Sequence, residues 1–79
     1  MINNGCLYVV KIEKISPQPY YYFINSDNAE KFLWEYYLNH SSDNEEIQRG
    51  NYYKLRTIGA ITNYGYISEE YFEDFEEDK

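Results

Sequence analysis

His40-Ser41-Ser42-Asp43 brings the three residue types of a hydrolytic triad together. The four residues are consecutive in a polar stretch, whereas triads are assembled in space from distant segments. No Gly-x-Ser-x-Gly elbow accompanies them. Cys6 and His40, the single cysteine and single histidine of the chain, are the types that form a thiolate pair. Cys6, however, opens an apolar run, where a free cysteine is ordinarily a small core residue. Asp43-Asn44-Glu45-Glu46 lacks the alternating ligands and central glycine of a calcium loop. Gly59 and Gly65 are followed by no Gly-Lys-Ser/Thr, so no phosphate-binding loop is formed. One cysteine excludes an internal disulfide and a multi-cysteine zinc site. The reading is of a protein with no catalytic residues, no metal and no cofactor.

Two patterns point to binding instead. Residues 1–68 carry six Lys/Arg and seven Asp/Glu, whereas residues 69–79 carry one Lys and seven Asp/Glu. Nearly all of the net charge of -7 therefore sits at one end. Taken as a helix over 68–79, this segment places Tyr71, Phe72 and Phe75 within about 100° of arc, with Glu69, Glu73, Glu76 and Glu77 opposite and Glu70 and Asp74 at the border. The aromatic residues would pin the segment to the domain. Ten helical residues span about 15 Å, so Glu69, Glu70, Glu73, Asp74, Glu76, Glu77 and Asp78 would present one charge per ~2 Å, against about 1.7 Å in duplex DNA. Such a row fits a groove built for phosphates. The competing reading is an acidic end that keeps an aromatic-rich chain in solution. The second pattern is Trp34 with Leu38, four residues apart on a helix and off its core arc, as an interface anchor; the competing and favoured reading is that the 39–51 stretch or the last helix covers them.

The tyrosine runs Tyr20-Tyr21-Tyr22-Phe23 and Tyr52-Tyr53, if they lie on adjacent strands, resemble a surface for stacking single-stranded bases. The acidic balance, with a pI of about 4.5, argues against direct binding to nucleic acid or an anionic membrane. The mean hydropathy of -0.79, and the lack of any apolar run of about 18 residues, argue against a membrane span. No signal-peptide pattern is expected. A lone thiol suits a reducing cytoplasm.

The elements that position these groups follow from periodicity. Residues 6–15 alternate as a strand, with Cys6, Tyr8, Val10 and Ile12 on one face. Ser16-Pro17-Gln18-Pro19 breaks it, and residues 20–24 return antiparallel. Asp27 with Glu30 forms a capping box for a helix over 28–39 with Ala29, Phe32, Leu33, Tyr36 and Tyr37 inward. Residues 39–51 read as a loop with one helical turn at 43–48, and residues 52–58 as a third strand. A hairpin spans 60–67, with its turn at Asn63-Tyr64-Gly65 and Gly65 supplying positive φ. Ser68 caps the last helix. The expectation is a single α+β domain over 1–79, a small antiparallel sheet packed against one helix in the order β-β-α-β-β-α, ending in an acidic helical segment at 68–79.

In length, low pI, the segment SEEYFEDFEED and an asparagine- and tyrosine-rich composition, the chain resembles the small acidic proteins that bacteriophages encode against host defences. These include anti-CRISPR proteins and DNA mimics such as uracil-DNA glycosylase inhibitors. The resemblance implies a stoichiometric, non-enzymatic inhibitor in the cytoplasm of an infected bacterium. Its partner would be a basic nucleic-acid-binding host protein, a Cas effector or another DNA or RNA enzyme. The alternative is a small structural or regulatory interaction protein, self-associating, with an acidic end that serves solubility. Oligomeric state is not readable from the sequence.

Overall fold

The computed structural model describes the backbone from residue 2 to residue 75 and the side chains of residues 6–71. Four strands and two helices follow in the order β1 (Ile2–Ile12), β2 (Tyr20–Phe23), α1 (Ser26–His40), α2 (Glu45–Ile58), β3 (Ala60–Ile61) and β4 (Gly65–Phe75). The strands form one antiparallel sheet ordered β2-β1-β4-β3. The class is α+β as expected, but the order is β-β-α-α-β-β, with two helices against the sheet.

The core is the meeting of one sheet face with α1. Val10 and Ile12 of β1, Ala29, Leu33 and Tyr37 of α1, Leu55 of α2 and Ile61 of β3 are fully buried together. Spacings of four along α1 put Ala29, Leu33 and Tyr37 on one line, as the 3.6-residue turn requires. Phe32 and Tyr36, also expected in the core, lie half-buried at its rim, with Phe32 against Tyr21 and Phe23 at ring-centroid distances of 4.7 and 5.4 Å. The cap of α1 is Asn25, not Asp27. Its side chain accepts from the N–H groups of Asp27 (2.7 Å) and Asn28 (3.3 Å), and Asp27 sits in the first turn, where the helix dipole favours a carboxylate. Glu30 does not return to the cap; it binds Arg56 at 2.8 Å.

The third strand expected at 52–58 is part of α2, as is most of the stretch read as a loop. Asn44 caps this helix through Ile47 N–H, Glu45 and Glu46 occupy its first turn and Arg56 its last. Gly59 ends it in the left-handed region at φ 70°, its N–H donating to the Leu55 carbonyl. The aromatic and β-branched run YYKLRTI favours a strand locally. Caps at both ends, burial of Leu55 and the packing of Tyr52 on Trp34 override that preference.

The hairpin over 60–67 is present, with the turn one residue earlier than expected. Tyr64 N–H closes it on the Ile61 carbonyl, and the left-handed residue is Asn63, at φ 75°. Gly65 is in the ladder opposite Ile12 and Ile61. Its lack of a side chain is required by proximity: a Cβ there would lie 2.7 Å from the Lys11 carbonyl oxygen and 3.0 Å from Leu33 Cδ1.

The largest correction concerns the end of the chain. The helix expected at 68–79 is, over residues 68–75, strand: β4 pairs with β1 continuously from Gly65↔Ile12 to Phe75↔Ile2. Residues 76–79 lie outside the described residues. β2 pairs only with residues 8–11 of β1, and β3 only with residues 65 and 66 of β4. The first half of β1 and the second half of β4 therefore run on as a two-stranded ribbon. The radius of gyration is 15.1 Å, against about 12 Å for a compact chain of this length, and the longest axis is 54 Å.

Candidate functional site

A strand turns its side chains by 180° per residue, not 100°, so the carboxylates of β4 are not gathered on one side. Glu69 stands opposite Tyr8 on the helix-bearing side of the sheet, and Glu70 opposite Leu7 on the other. Glu70 pairs with Lys11 at 3.3 Å. Glu69 accepts a hydrogen bond from the Tyr71 hydroxyl. That bond, with the nearby carboxylate charge, pushes the Tyr71 pKa up to about 12. Tyr71 is 75% exposed and does not pin the segment to the core. The side chains of Phe72, Glu73, Asp74 and Phe75, and all of Glu76, Glu77 and Asp78, lie outside the described residues. Charge density changes with the element. A strand rises about 3.4 Å per residue against about 1.5 Å in a helix, so residues 69–75 carry their charge at less than half the density expected of a helical row.

Trp34 is not an open anchor. It is half-buried, with ring centroids 5.2 Å from Tyr37 and 5.1 Å from Tyr52. Leu38 is 40% exposed and does not share this cluster. The covering element is α2, in the region whose helical character the local composition conceals.

The His40 ring and the Asp43 carboxylate each take a tyrosine as partner rather than one another. His40 Nδ1 lies 2.8 Å from the Tyr36 carbonyl and its ring stacks on that of Tyr36. Ser41 Oγ accepts from Asp43 N–H at 2.9 Å, and Asp43 Oδ2 accepts from the Tyr37 hydroxyl at 2.7 Å. Cys6 is half-buried at the root of the ribbon, its Sγ 3.9 Å from the Leu7 carbonyl oxygen. A hydrogen bond to Cys6, together with its charge, raises the pKa of Tyr8. Among the described residues no three His, Cys, Asp or Glu side chains gather as a metal site, and no helix is long and apolar enough to cross a membrane.

The sequence does not reveal the polar network around Tyr37. This buried ring takes a bond from Asn51 Nδ2 at 2.8 Å while donating to Asp43, and Gln48 Nε2 donates to the Asp43 carbonyl. Burial and the Asp43 bond both raise its pKa. The network lies beneath an open cleft of about 580 Å³, lined among others by Glu13, Lys14, Tyr36, Asp43, Asn51 and Asn63. Lys14 and Asn63 both have positive φ, at 67° and 75°. The spacing of Tyr37 to Asp43 and to Asn51 becomes meaningful only once residues 45–58 are known to be helical.

The tyrosine surface is also rearranged. Tyr52 and Tyr53 are on α2, so they do not extend the β2 run. Tyr21 and Phe23 turn toward the helices, while Tyr20 and Tyr22 turn to the opposite face, where Tyr66 joins them through its pairing with Lys11. Burial pulls the Lys11 pKa down, but Glu70, Tyr66 and Tyr20 outweigh it and the net direction is upward.

No family model matches this chain, and neither a curated protein nor a solved structure matches it significantly.

Proposed function

We propose that the protein is a non-enzymatic inhibitor of the anti-CRISPR type, acting in the bacterial cytoplasm. On this reading its acidic end occupies the nucleic-acid-binding cleft of a basic host protein in place of phosphates. One observation carries the reading: all but one unit of the net negative charge falls in residues 69–79, and β4 carries the first of these residues out along a two-stranded ribbon. A ribbon with carboxylates on both faces suits a cleft that encloses it, where charge-assisted bonds to arginine and lysine form from two sides. The reading is supported by the engagement of the His40 ring with Tyr36 and of the Asp43 carboxylate with Tyr37, neither of them with the other or with Cys6.

The test keeps the strand intact. Deleting residues 69–79 would strip β1 of most of its partner, so Glu69, Glu73, Glu76 and Glu77 are changed together to Gln. Wild-type protein should capture a bacterial nucleic-acid-binding protein, and duplex DNA or guide RNA should displace it. Capture should weaken steeply with salt, and the Gln variant, shown to be folded, should lose it. Capture that the Gln variant retains, or that nucleic acid does not displace, overturns the proposal.

A further inference from the structure

We infer that the sheet face away from the helices is the contact surface of a homodimer. Both helices pack on the other side, so no helix covers this face among the described residues. It is formed by Leu7, Val9 and Lys11 of β1, Tyr20 and Tyr22 of β2, and Tyr66, Ser68 and Glu70 of β4, as the antiparallel register dictates. Tyr20 and Tyr22 are 49% and 61% exposed.

Its charge balance selects the occupant. Lys11 extends from beside Tyr66 to reach Glu70, its ammonium 5.1 and 5.7 Å from the ring centroids of Tyr20 and Tyr66. The Val9–Ser68 pair lies between the ends of that reach, and Val9 is fully buried. Lys11 and Glu70 are the only charged side chains on the face among the described residues, and they neutralise each other. Among the described residues a phosphodiester chain would find stacking rings but no free cation, and cations supply most of its affinity. Among the same residues a basic partner would find one carboxylate, already paired. A second copy, otherwise repelled by a charge of -7, meets here a neutral, tyrosine-rich surface. Two-fold stacking can also exchange the Lys11–Glu70 pair between copies, so that the face is its own complement.

The area sets the strength. With 150–250 Å² per tyrosine, Tyr20 and Tyr22 contribute about 200 Å² and the remaining residues a similar amount. The total, roughly 800 Å² over both copies, is at the transient end of interfaces. Area does not fix affinity, but a transient interface of this size places the search for the dimer at about 10 μM to 1 mM.

Sedimentation equilibrium of the full chain over that range is the test, with two variants. Tyr22→Lys places a charge in the face and lowers the net charge to -6; Tyr53→Lys makes the same charge change at a 69% exposed tyrosine of α2. The expected result is a concentration-dependent dimer for wild type and Tyr53→Lys, with at least about a tenfold weaker constant for Tyr22→Lys. Tyr20→Lys should repeat the loss, and circular dichroism must show all variants folded. A wild-type monomer throughout the range, or a Tyr22→Lys dimer as strong as that of Tyr53→Lys, overturns the inference. So does tight binding of a single-stranded oligonucleotide that Tyr22→Lys removes, which would assign the face to bases.

Discussion

Replacing Gly65 by alanine is the sharpest probe of how the sheet meets α1. The added Cβ would lie 2.7 Å from the Lys11 carbonyl oxygen, 3.0 Å from Leu33 Cδ1 and 3.4 Å from Ile12 Cδ1. Carbon and oxygen rest at about 3.3–3.6 Å, so the oxygen must retreat by roughly 0.6 Å or more. It belongs to backbone held between β2 and β4, and Leu33 and Ile12 are fully buried. Overpacking of this kind costs about 1–3 kcal/mol. A domain of this size changes its Tm by about 4–8 °C per kcal/mol, so a cost of ~2 kcal/mol lowers Tm by about 8–16 °C. Two other glycines supply the contrast. Gly50, inside α2, would place its Cβ in open space, so Gly50→Ala should stabilise by about 0.5–1 kcal/mol through lost chain entropy. Gly59→Ala meets only ordinary contacts at 3.7 and 3.8 Å but retains φ of 70°, a strain of about 1–2 kcal/mol. Thermal melts followed by circular dichroism rank the three. A Gly65→Ala protein melting within a few degrees of wild type would refute the close approach of β1, β4 and α1. A destabilising Gly50→Ala would refute a helix running through residue 50.

Leu33→Ala should cost about 2–5 kcal/mol and largely unfold the domain, whereas Phe32→Ala, at the rim, should cost roughly half of the 3–5 kcal/mol of a buried phenylalanine; urea titrations giving the reverse order would place the wrong face of α1 inward. Tyr8, Tyr37, Tyr71 and Lys11 all hold their protons more tightly in the fold than free. Their stabilisation is complete below about pH 10 and is lost as pH rises through the raised values. Unfolding free energy should therefore fall between about pH 10 and 12, and ultraviolet titration should show tyrosines ionising late, the last near 12 and absent in Tyr71→Phe. Stability that holds constant or rises over that interval contradicts these environments.

Periodicity made legible what depends on one element at a time. The alternation of Tyr8, Val10 and Ile12 gives their common face, and the spacing of Ala29, Leu33 and Tyr37 gives the buried line of α1. What was not legible depends on competition between local preference and distant packing. Residues 52–58 are aromatic and β-branched, yet the sequence also holds helix boundaries: Asn44 with Glu45 and Glu46 at one end, Arg56 and Gly59 at the other. Residues 69–75 fit a helical arc of aromatics and carboxylates equally well on paper. There the deciding factor is β1, whose first half has no other strand among the described residues to satisfy its backbone groups. Like charges at i, i+4, such as Glu69 with Glu73, already weighed against a helix, and Tyr71 next to Phe72 favours a strand.

The same pairing changes what kind of partner the acidic end can meet. On a helix the carboxylates form one charged side and the aromatics another, so a flat basic groove would suffice. On β4 neighbouring residues face opposite ways, with Glu69 beside Tyr8 and Glu70 drawn onto Lys11. Glu70 thus spends part of its charge within the fold, and any cation competing for it must displace the Lys11 ammonium. Glu69 and Glu70 then lie on opposite sides of the sheet, and a strand spaces successive residues by about 3.4 Å against about 1.5 Å in a helix. Close matching of duplex phosphate density is therefore not what β4 offers. On the proposed reading affinity comes from enclosure: a cleft narrow enough to reach both faces at once recovers the charge that a one-sided surface would miss. Exposed ion pairs contribute about 0–1 kcal/mol each, so four neutralised carboxylates should weaken an enclosing cleft by more than any single change, and in proportion to how many lie on each face.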